Sequence, residues 1–336
     1  MVTQALRPRP LDDSVTLSLV VPVFDEDAAL LDELARRLGE VLAALPCRAQ
    51  VVLVDDGSGE PTERALRALA AADPRVTLVR LARNFGHQPA VAAGLDHARG
   101  DVVVLMDGDL EDPPELIPEL LGRWQEGYEV VLAQRRSRHL DPLRRLLFAG
   151  FYRVFELLAD FPVPLQAGIY CLLGRRAWRQ IAGLREANRF LPGLRAWVGF
   201  PTATVRYDRA PRGTGKPKQT LLRLFRYAAD AIFSFSYKPL RLSLAFGAGV
   251  FVLSSLYAFT LLVLRLLNVN VVMGFSTIAI AVFFFGGAIL MSNGILGEYL
   301  GRIYDEVKRR PLYVVEEVVG GPAAERERPA TAATDS

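Results

Sequence analysis

Two cysteines in 336 residues are too few for a disulfide framework, and Cys47 and Cys171 lack the spacing of a metal-binding pair. They read as ordinary thiols of a reducing compartment. The N-terminus has no apolar signal core, so a cleaved secretion signal is not expected. Residues 1–14 are polar and Pro-containing and read as a flexible lead. No internal repeat is visible, which excludes a solenoid. The excess of basic over acidic residues is only three, 40 against 37, and it gives no support for a nucleic-acid-binding surface. Charge is missing altogether from residues 242–264 and from residues 266–297.

Those two runs concentrate the apolar excess of a chain that is 51% hydrophobic. Each exceeds the roughly 20 apolar residues that a bilayer crossing requires. Arg265 and a short turn around Asn268–Asn270 separate them. The pair reads as a transmembrane hairpin, about 242–264 and 273–297, with a buried soluble helical pair as the competing reading. Lys216, Lys218, Arg223, Arg226, Lys238 and Arg241 precede the first run, and Arg302, Lys308, Arg309 and Arg310 follow the second. The positive-inside rule then places both termini on the cytoplasmic face of an inner or plasma membrane. This local basic belt suits anionic headgroups or phosphates better than nucleic acid. Within residues 219–236, Leu221, Leu224, Phe225, Ala228, Ile232 and Phe235 recur at helical spacing opposite Arg223, Arg226 and Asp230. That pattern fits a helix in the membrane interface or, alternatively, a core helix.

Upstream, strand-like and helix-like segments alternate. Strands are expected at Thr16–Val23, Ala49–Val54, Val76–Leu81, Asp101–Met106 and Glu129–Ala133. Helices are expected over about Glu26–Ala44, after Gly59, from His87 to His97 and over Pro114–Glu126. This order predicts an α/β domain built on a mostly parallel sheet. Residues 142–158 read as an unusually apolar helix carrying Arg144, Arg145 and Arg153. The domain divisions expected are a lead at 1–14, a catalytic domain at 15–215, a juxtamembrane helix at 216–239 and the hairpin at 240–298. A basic helix and strand at 299–319 and a disordered tail at 320–336 complete the chain. Leu312–Val319 is strand-like; a lone strand cannot stand by itself, so pairing with another protomer is expected.

The chemistry gathers at strand ends. The buried-strand run Val102–Met106 breaks into Asp107, Asp109, Glu111 and Asp112, followed by Pro113, Pro114 and Glu115. Open α/β sheets bind ligands at the carboxyl ends of their strands. Alternate carboxylates there suit Mg²⁺ or Mn²⁺, which would hold phosphates; taken alone, they suit a solvated acidic turn equally well. Asp112 reads as an N-cap with proline at the first helical position. Pro22, Val23, Asp25 and Glu26 end the first strand, and Asp55–Ser58 end the second. Arg83–His87 supply a cation and an amide beside the same rim.

Together these segments resemble the inverting family 2 nucleotide-sugar glycosyltransferases of the GT-A fold. More closely, the chain is similar to the polyprenyl-phosphate glycosyltransferases, such as dolichyl-phosphate mannose synthase and the bactoprenol glucosyltransferases. The resemblance spans about residues 16–318. It rests on Val20–Phe24, Asp55–Ser58, Arg83–Gly86, Ala93–His97, Asp107–Pro114, Phe233–Ser236 with Pro239–Arg241, and Leu296–Tyr304. It implies a membrane-bound enzyme, anchored in the lipid bilayer and often oligomeric. Such an enzyme moves one hexose from a UDP- or GDP-sugar to a polyprenyl phosphate. Pro22, Val23, Asp25, Asp56, Arg83 and Asp107 would line the nucleotide. Asp109 and Glu111, with Asp107 beside them, would hold Mg²⁺ or Mn²⁺. Arg135 and Arg138 would serve catalysis, and Arg138, Arg212 and Lys218 the acceptor phosphate.

Three departures from the family pattern stand out. Asp25 occupies a usual asparagine position, Glu111 a common glutamine position, and Ile169 the position of an acceptor-side aspartate. A phosphate nucleophile is already anionic, so the last change is compatible with transfer. The rival readings are a family 2 enzyme with another lipid or glycan acceptor and a catalytically impaired membrane scaffold. A processive synthase is disfavoured, because the chain lacks a Gln-x-x-Arg-Trp sequence.

Overall fold

The computed structural model describes residues 6–135, 167–187, 189–208, 236–267 and 274–321. The chain divides into a sheet unit (1–141, 163–218 and 310–336) and a helical unit (142–162 and 219–309). The apolar segment 142–158, the amphipathic segment 219–235, Arg138, Arg212, Lys218 and the tail beyond 321 lie outside the described residues.

The sheet unit begins β1 (Thr16–Val23), α1 (Ala28–Ala43), β2 (Arg48–Asp55), α2 (Glu60–Ala72), β3 (Val76–Leu81), α3 (His87–His97) and β4 (Val102–Leu105). A 3-10 turn (Pro114–Leu116) runs into α4 (Ile117–Gln125). Then come β5 (Val130–Arg135), β6 (Ala167–Gly174), α5 (Arg175–Gly183), α6 (Leu191–Trp197), β7 (Thr202–Tyr207) and, from the far end of the chain, β8 (Val315–Val319). The strand order is β7-β5-β6-β4-β1-β2-β3-β8. Strands β4, β1, β2 and β3 run parallel, as the alternation of elements predicts. β6 is antiparallel to both β4 and β5, β7 is parallel to β5, and β8 is antiparallel to β3.

Helix α1 shows why the layers close. Asp27 caps it, accepting the Ala29 N–H at 3.1 Å, and Leu31, Leu34, Leu38 and Leu42 fall on one face and are buried. Each such leucine contributes roughly 1.5–3 kcal/mol. Helix α3 lies close on the sheet because its inner face is small: a Cβ on Gly94 would meet Val20 Cγ1 at 2.2 Å.

Three sequence expectations are revised. Pro113, not Asp112, occupies the cap position before Pro114, and it makes no side-chain cap bond; the Asp112 carboxylate is drawn instead to Tyr207 and Arg135. β8 does not need a second protomer, because it completes the open edge of β3 in its own chain. It pairs Val319 with Leu78 and Val318 with Val79, and is held by Arg67–Glu317 and Arg80–Glu316 ion pairs. The lead is tied down from within: the Arg9 N–H donates to the Gln125 carbonyl, and the guanidinium pairs with Glu129 at 2.6 Å and covers the Trp124 ring.

In the helical unit, α7 (Lys238–Leu266) and α8 (Phe275–Val307) run antiparallel, Ser243 bonding Ser292 at 2.7 Å and Phe246 lying near Phe284. The Tyr299 hydroxyl donates to the Ser236 carbonyl. Among the described residues, one helical segment, Lys238–Tyr257, is long and apolar enough to cross a membrane, and none of it is buried.

Candidate active site

β1 pairs with β2 on one side and β4 on the other, so the strand order reverses direction at the β1/β4 boundary. Such switch points open a crevice at the carboxyl ends of the strands. A cavity of about 300 Å³ occupies this place. Its walls are Pro22, Val23, Phe24 and Glu26 from the end of β1, and Asp107–Asp109 from the end of β4. Asp56, Asn84, Gly86, His87 and Ala90 close the third side.

Tight turns build these walls. Gly57 adopts φ 71°, and a Cβ there would stand 2.4 Å from the Arg83 carbonyl carbon, so the turn after β2 presses on the loop after β3. Asp56, 3% exposed, clamps that loop: its two oxygens accept the N–H groups of Phe85 and Gly86 at 2.7 and 2.9 Å. Burial raises its pKa despite these bonds. Asp25 has φ 50°, a left-handed conformation that Asp and Asn tolerate better than most side chains; the substitution at this family asparagine position keeps the turn. Its carboxylate accepts the Gly59 N–H at 2.8 Å, and its own N–H donates to Ser58 Oγ.

The acids after β4 separate by role. Asp107 Oδ1 bonds His87 Nε2 at 2.8 Å. Burial lowers the His87 pKa, but the Asp107 hydrogen bond and the charges of Asp107, Asp56 and Asp109 outweigh it, and the net shift is upward. Asp109 Oδ1 accepts the Glu111 N–H at 3.1 Å across a turn whose middle residue, Leu110, is left-handed at φ 55°. That conformation costs a residue with a Cβ about 1–2 kcal/mol; Asp109, the residue before it, lines the cavity. Glu111 is 4% exposed and is not part of the cavity wall.

Of the residues expected at the nucleotide, the structure brings Pro22, Val23, Asp56 and Asp107 onto one cavity. Asp25 and Arg83 stand outside it, Arg83 with its guanidinium 4.0 Å from the Phe85 ring centroid. Of the three expected metal ligands, Asp107 and Asp109 face the cavity together. Among the described residues no set of three His, Cys, Asp or Glu side chains forms a ready ligand cage. Two hard carboxylates on an open crevice still fit Mg²⁺ or Mn²⁺, which commonly take one or two protein carboxylates and complete their shell with phosphate and water.

A second group joins the loop after β4 to β5, β6 and β7. Asp112, 2% exposed, accepts the Tyr207 hydroxyl; Arg135 Nη2 lies 3.4 Å from the same oxygen, and Arg135 Nε is 3.2 Å from the Tyr207 hydroxyl. Burial raises the Asp112 pKa against the pull of Tyr207 and Arg135. The Tyr170 hydroxyl donates to the Pro113 carbonyl, and its ring meets Tyr207 edge-on at 5.9 Å. Sequence reasoning found Arg135 but missed Tyr207 and Tyr170, and no local pattern links residues 95 positions apart. Buried Arg195 was also missed; it donates to the Gly168 carbonyl at 2.8 Å and to the Ile169 carbonyl at 3.4 Å. β6 pairs Cys171 with Leu105, the last residue of β4, two residues before Asp107; Ile169 lies two residues before Cys171 on β6.

The model of the family "Glycosyl transferase family 2" matches residues 18–178. An uncharacterized glycosyltransferase of Synechocystis sp. is 39% identical over 309 residues, covering 91% of this chain and 96% of that protein. The SfII prophage-derived bactoprenol glucosyl transferase of Shigella flexneri is 39% identical over 301 residues, 89% of this chain and 97% of its own. A prophage bactoprenol glucosyl transferase homolog of Escherichia coli is 36% identical, with 90% and 99% covered. Among solved structures, glucosyl-3-phosphoglycerate synthase of Mycobacterium tuberculosis gives a TM-score of 0.42 at 19% identity over 67% of this chain and 86% of that one. With relatives at 36–39% identity matched over 89–91% of its length, the chain belongs to glycosyl transferase family 2 and is a glycosyltransferase.

Proposed function

We propose that this enzyme transfers a single hexose from a UDP- or GDP-sugar to the phosphate of a polyprenyl carrier, with inversion, at the cytoplasmic face of a membrane. The observation that carries the membrane part is the return of β8 to the edge of β3. If Lys238–Tyr257 crosses a bilayer, a single crossing would strand β8 on the far side from its sheet. The chain must cross back, and α8, 33 residues long and free of charge up to Glu298, is the segment available. Two spans with both ends on one side follow, and the flanking basic residues favour the cytoplasmic side. The lipid carrier is supported by the extended similarity to proteins named bactoprenol glucosyl transferases.

The donor diphosphate would enter the switch-point cavity, with Pro22, Val23 and Asp56 along the nucleotide. Asp107 and Asp109 would hold Mg²⁺ or Mn²⁺, which supplies compensation for the charge of the departing diphosphate. Glu111, also expected as a ligand, would support Asp109 through their shared turn. The carrier's phosphate oxygen attacks the anomeric carbon as the glycosyl–phosphate bond breaks. An anionic nucleophile needs no base, which accords with isoleucine at position 169. Alignment then decides the rate. Arg135, set by Asp112 and Tyr207, would steady negative charge, and Arg138, Arg212 and Lys218 would hold the acceptor phosphate.

Purified full-length protein, Mn²⁺, labelled UDP- or GDP-hexoses offered singly, and undecaprenyl phosphate test this directly. One donor should yield labelled lipid that is lost on chelation. Labelled product on another glycan or lipid but none on the polyprenyl phosphate would overturn the acceptor assignment.

A further inference from the structure

The wall of the donor cavity is rich in acid and poor in base. Glu26, Asp56, Asp107 and Asp109 all line it, and a donor's diphosphate would add further negative charge. A divalent ion offsets about half of that wall, and like charges this close repel one another. The cation of the loop after β3, Arg83, lies over the Phe85 ring and is not part of the wall. Neither is Arg135, which faces Asp112 and Tyr207. Among the described residues that line the cavity, His87 alone is of a basic type.

Its neighbours fix where His87 stands. It opens α3 directly after Gly86, whose φ of 99° turns the chain into the helix. Asp56 grips the Phe85 and Gly86 N–H groups on one side of it. On the other, Gln88 Oε1 accepts the Leu191 N–H at 3.2 Å. The His87 side chain, 42% exposed, reaches the acids after β4, where Nε2 meets Asp107 Oδ1 at 2.8 Å. An ionised carboxylate only accepts, so Nε2 carries the hydrogen. That N–H is thus aimed at the carboxylates where a donor's phosphates would gather. The start of α3 adds partial positive charge on the same side, because Gly86, His87 and Ala90 all line the cavity.

We propose that His87 is a donor-binding residue: its Nε2–H, seen here on Asp107, donates to a phosphate oxygen of the nucleotide sugar when the donor is bound. This role rests on the assignment of the cavity to the donor, and it needs the N–H without any change of protonation. Calorimetric titration of the full-length protein with UDP and with GDP, at saturating Mn²⁺, tests it. His87→Ala should weaken the diphosphate that the parent binds about tenfold, the worth of one charge-assisted hydrogen bond. The matching nucleoside, uridine or guanosine, measured by competition, should bind as it does to the parent. His87→Gln, which keeps an N–H at similar reach, should recover most of the loss. Equal weakening of nucleoside and diphosphate, or a His87→Gln as poor as His87→Ala, would show a structural residue and overturn the role. If the loss disappears as Mn²⁺ is raised, His87 serves the ion site through Asp107, and the phosphate contact is overturned. A parent that binds neither UDP nor GDP overturns the donor assignment and this role with it. A parent that binds one of them, with His87→Ala equal to it, overturns this role alone.

Discussion

Leucine occupies the two units in opposite ways. In the sheet unit Leu17, Leu19, Leu78 and Leu105 are 0% exposed, sealed between strands and helices. In the helical unit Leu244, Leu253 and Leu290 are 75, 68 and 73% exposed, and Phe251 is 72% exposed. Polar groups invert with them: in the sheet unit Ser18, Asp55, Asp56 and Asp112 are buried, while residues 242–264 hold no charge at all. One sequence thus uses two rules of burial, and apolar patches of this extent call for a non-aqueous neighbour. The sheet unit hides its leucines from water within itself; in the function proposed above, the bilayer would do so for the helical unit. Chemistry follows the same division, because carboxylates can be clamped and tuned only where the protein supplies the walls.

The largest test of that division is at the acidic wall. Asp109→Asn should lower sugar transfer by about 10²–10³-fold, on the scale of losing one preorganised charge-stabilising group. The thermal midpoint and the membrane-bound fraction should both stay near those of the parent. Transfer at the parent rate would remove Asp109 from the site.

Next in size is a charge on the exposed apolar surface. Leu253→Lys would be nearly neutral on a water-facing helix, whereas near the middle of a membrane span it costs about 2.5–3.5 kcal/mol. An insertion reporter on residues 236–309 reads the difference. Unchanged insertion would show that α7 is a soluble helix and that both units follow one rule of burial.

Gly57→Ala tests the sheet unit alone. The added Cβ would meet backbone at 2.4 Å in a left-handed turn, so a loss of about 2–3 kcal/mol of stability is expected, from strain of this kind. Denaturant unfolding of the full-length protein measures it, and weakened donor binding should accompany it because the Arg83–Gly86 loop would shift. Stability equal to the parent would show that the turn can move apart freely.

Local signals explain what was legible beforehand. The alternation of apolar strands and amphipathic helices gave β1 to β5 to within a few residues, and His87–His97 matches α3 at both ends. The switch-point acids were legible because a buried strand that breaks into carboxylates is a contiguous pattern. The partner of β8 was not, because an isolated strand carries no mark of which edge it will cover. Asp112 was assigned to a cap by its prolines; the stronger pull came from Tyr207 and Arg135, which only the folded sheet brings near. Arg83 shows the same limit in reverse: its place in the motif is plain, but its guanidinium lies over Phe85 rather than on the cavity.

The smallest effect concerns that distant partnership. Tyr207→Phe keeps the ring against Tyr170 and removes only the hydroxyl donated to Asp112. A neutral donor to a buried carboxylate is worth about 1.5 kcal/mol or somewhat more, so transfer should fall about tenfold. If Asp112 and Tyr207 act by setting Arg135, the loss should fall on kcat and the acceptor KM, with the donor KM unchanged, because none of the three lines the donor cavity. Asp112→Asn should give the same division, since it keeps the shape but removes the charge facing Arg135. Should Tyr207→Phe lower stability while leaving both kinetic constants alone, the cluster would be a packing feature of the sheet unit, and the boundary between core and site would lie at the Asp107–Asp109 wall.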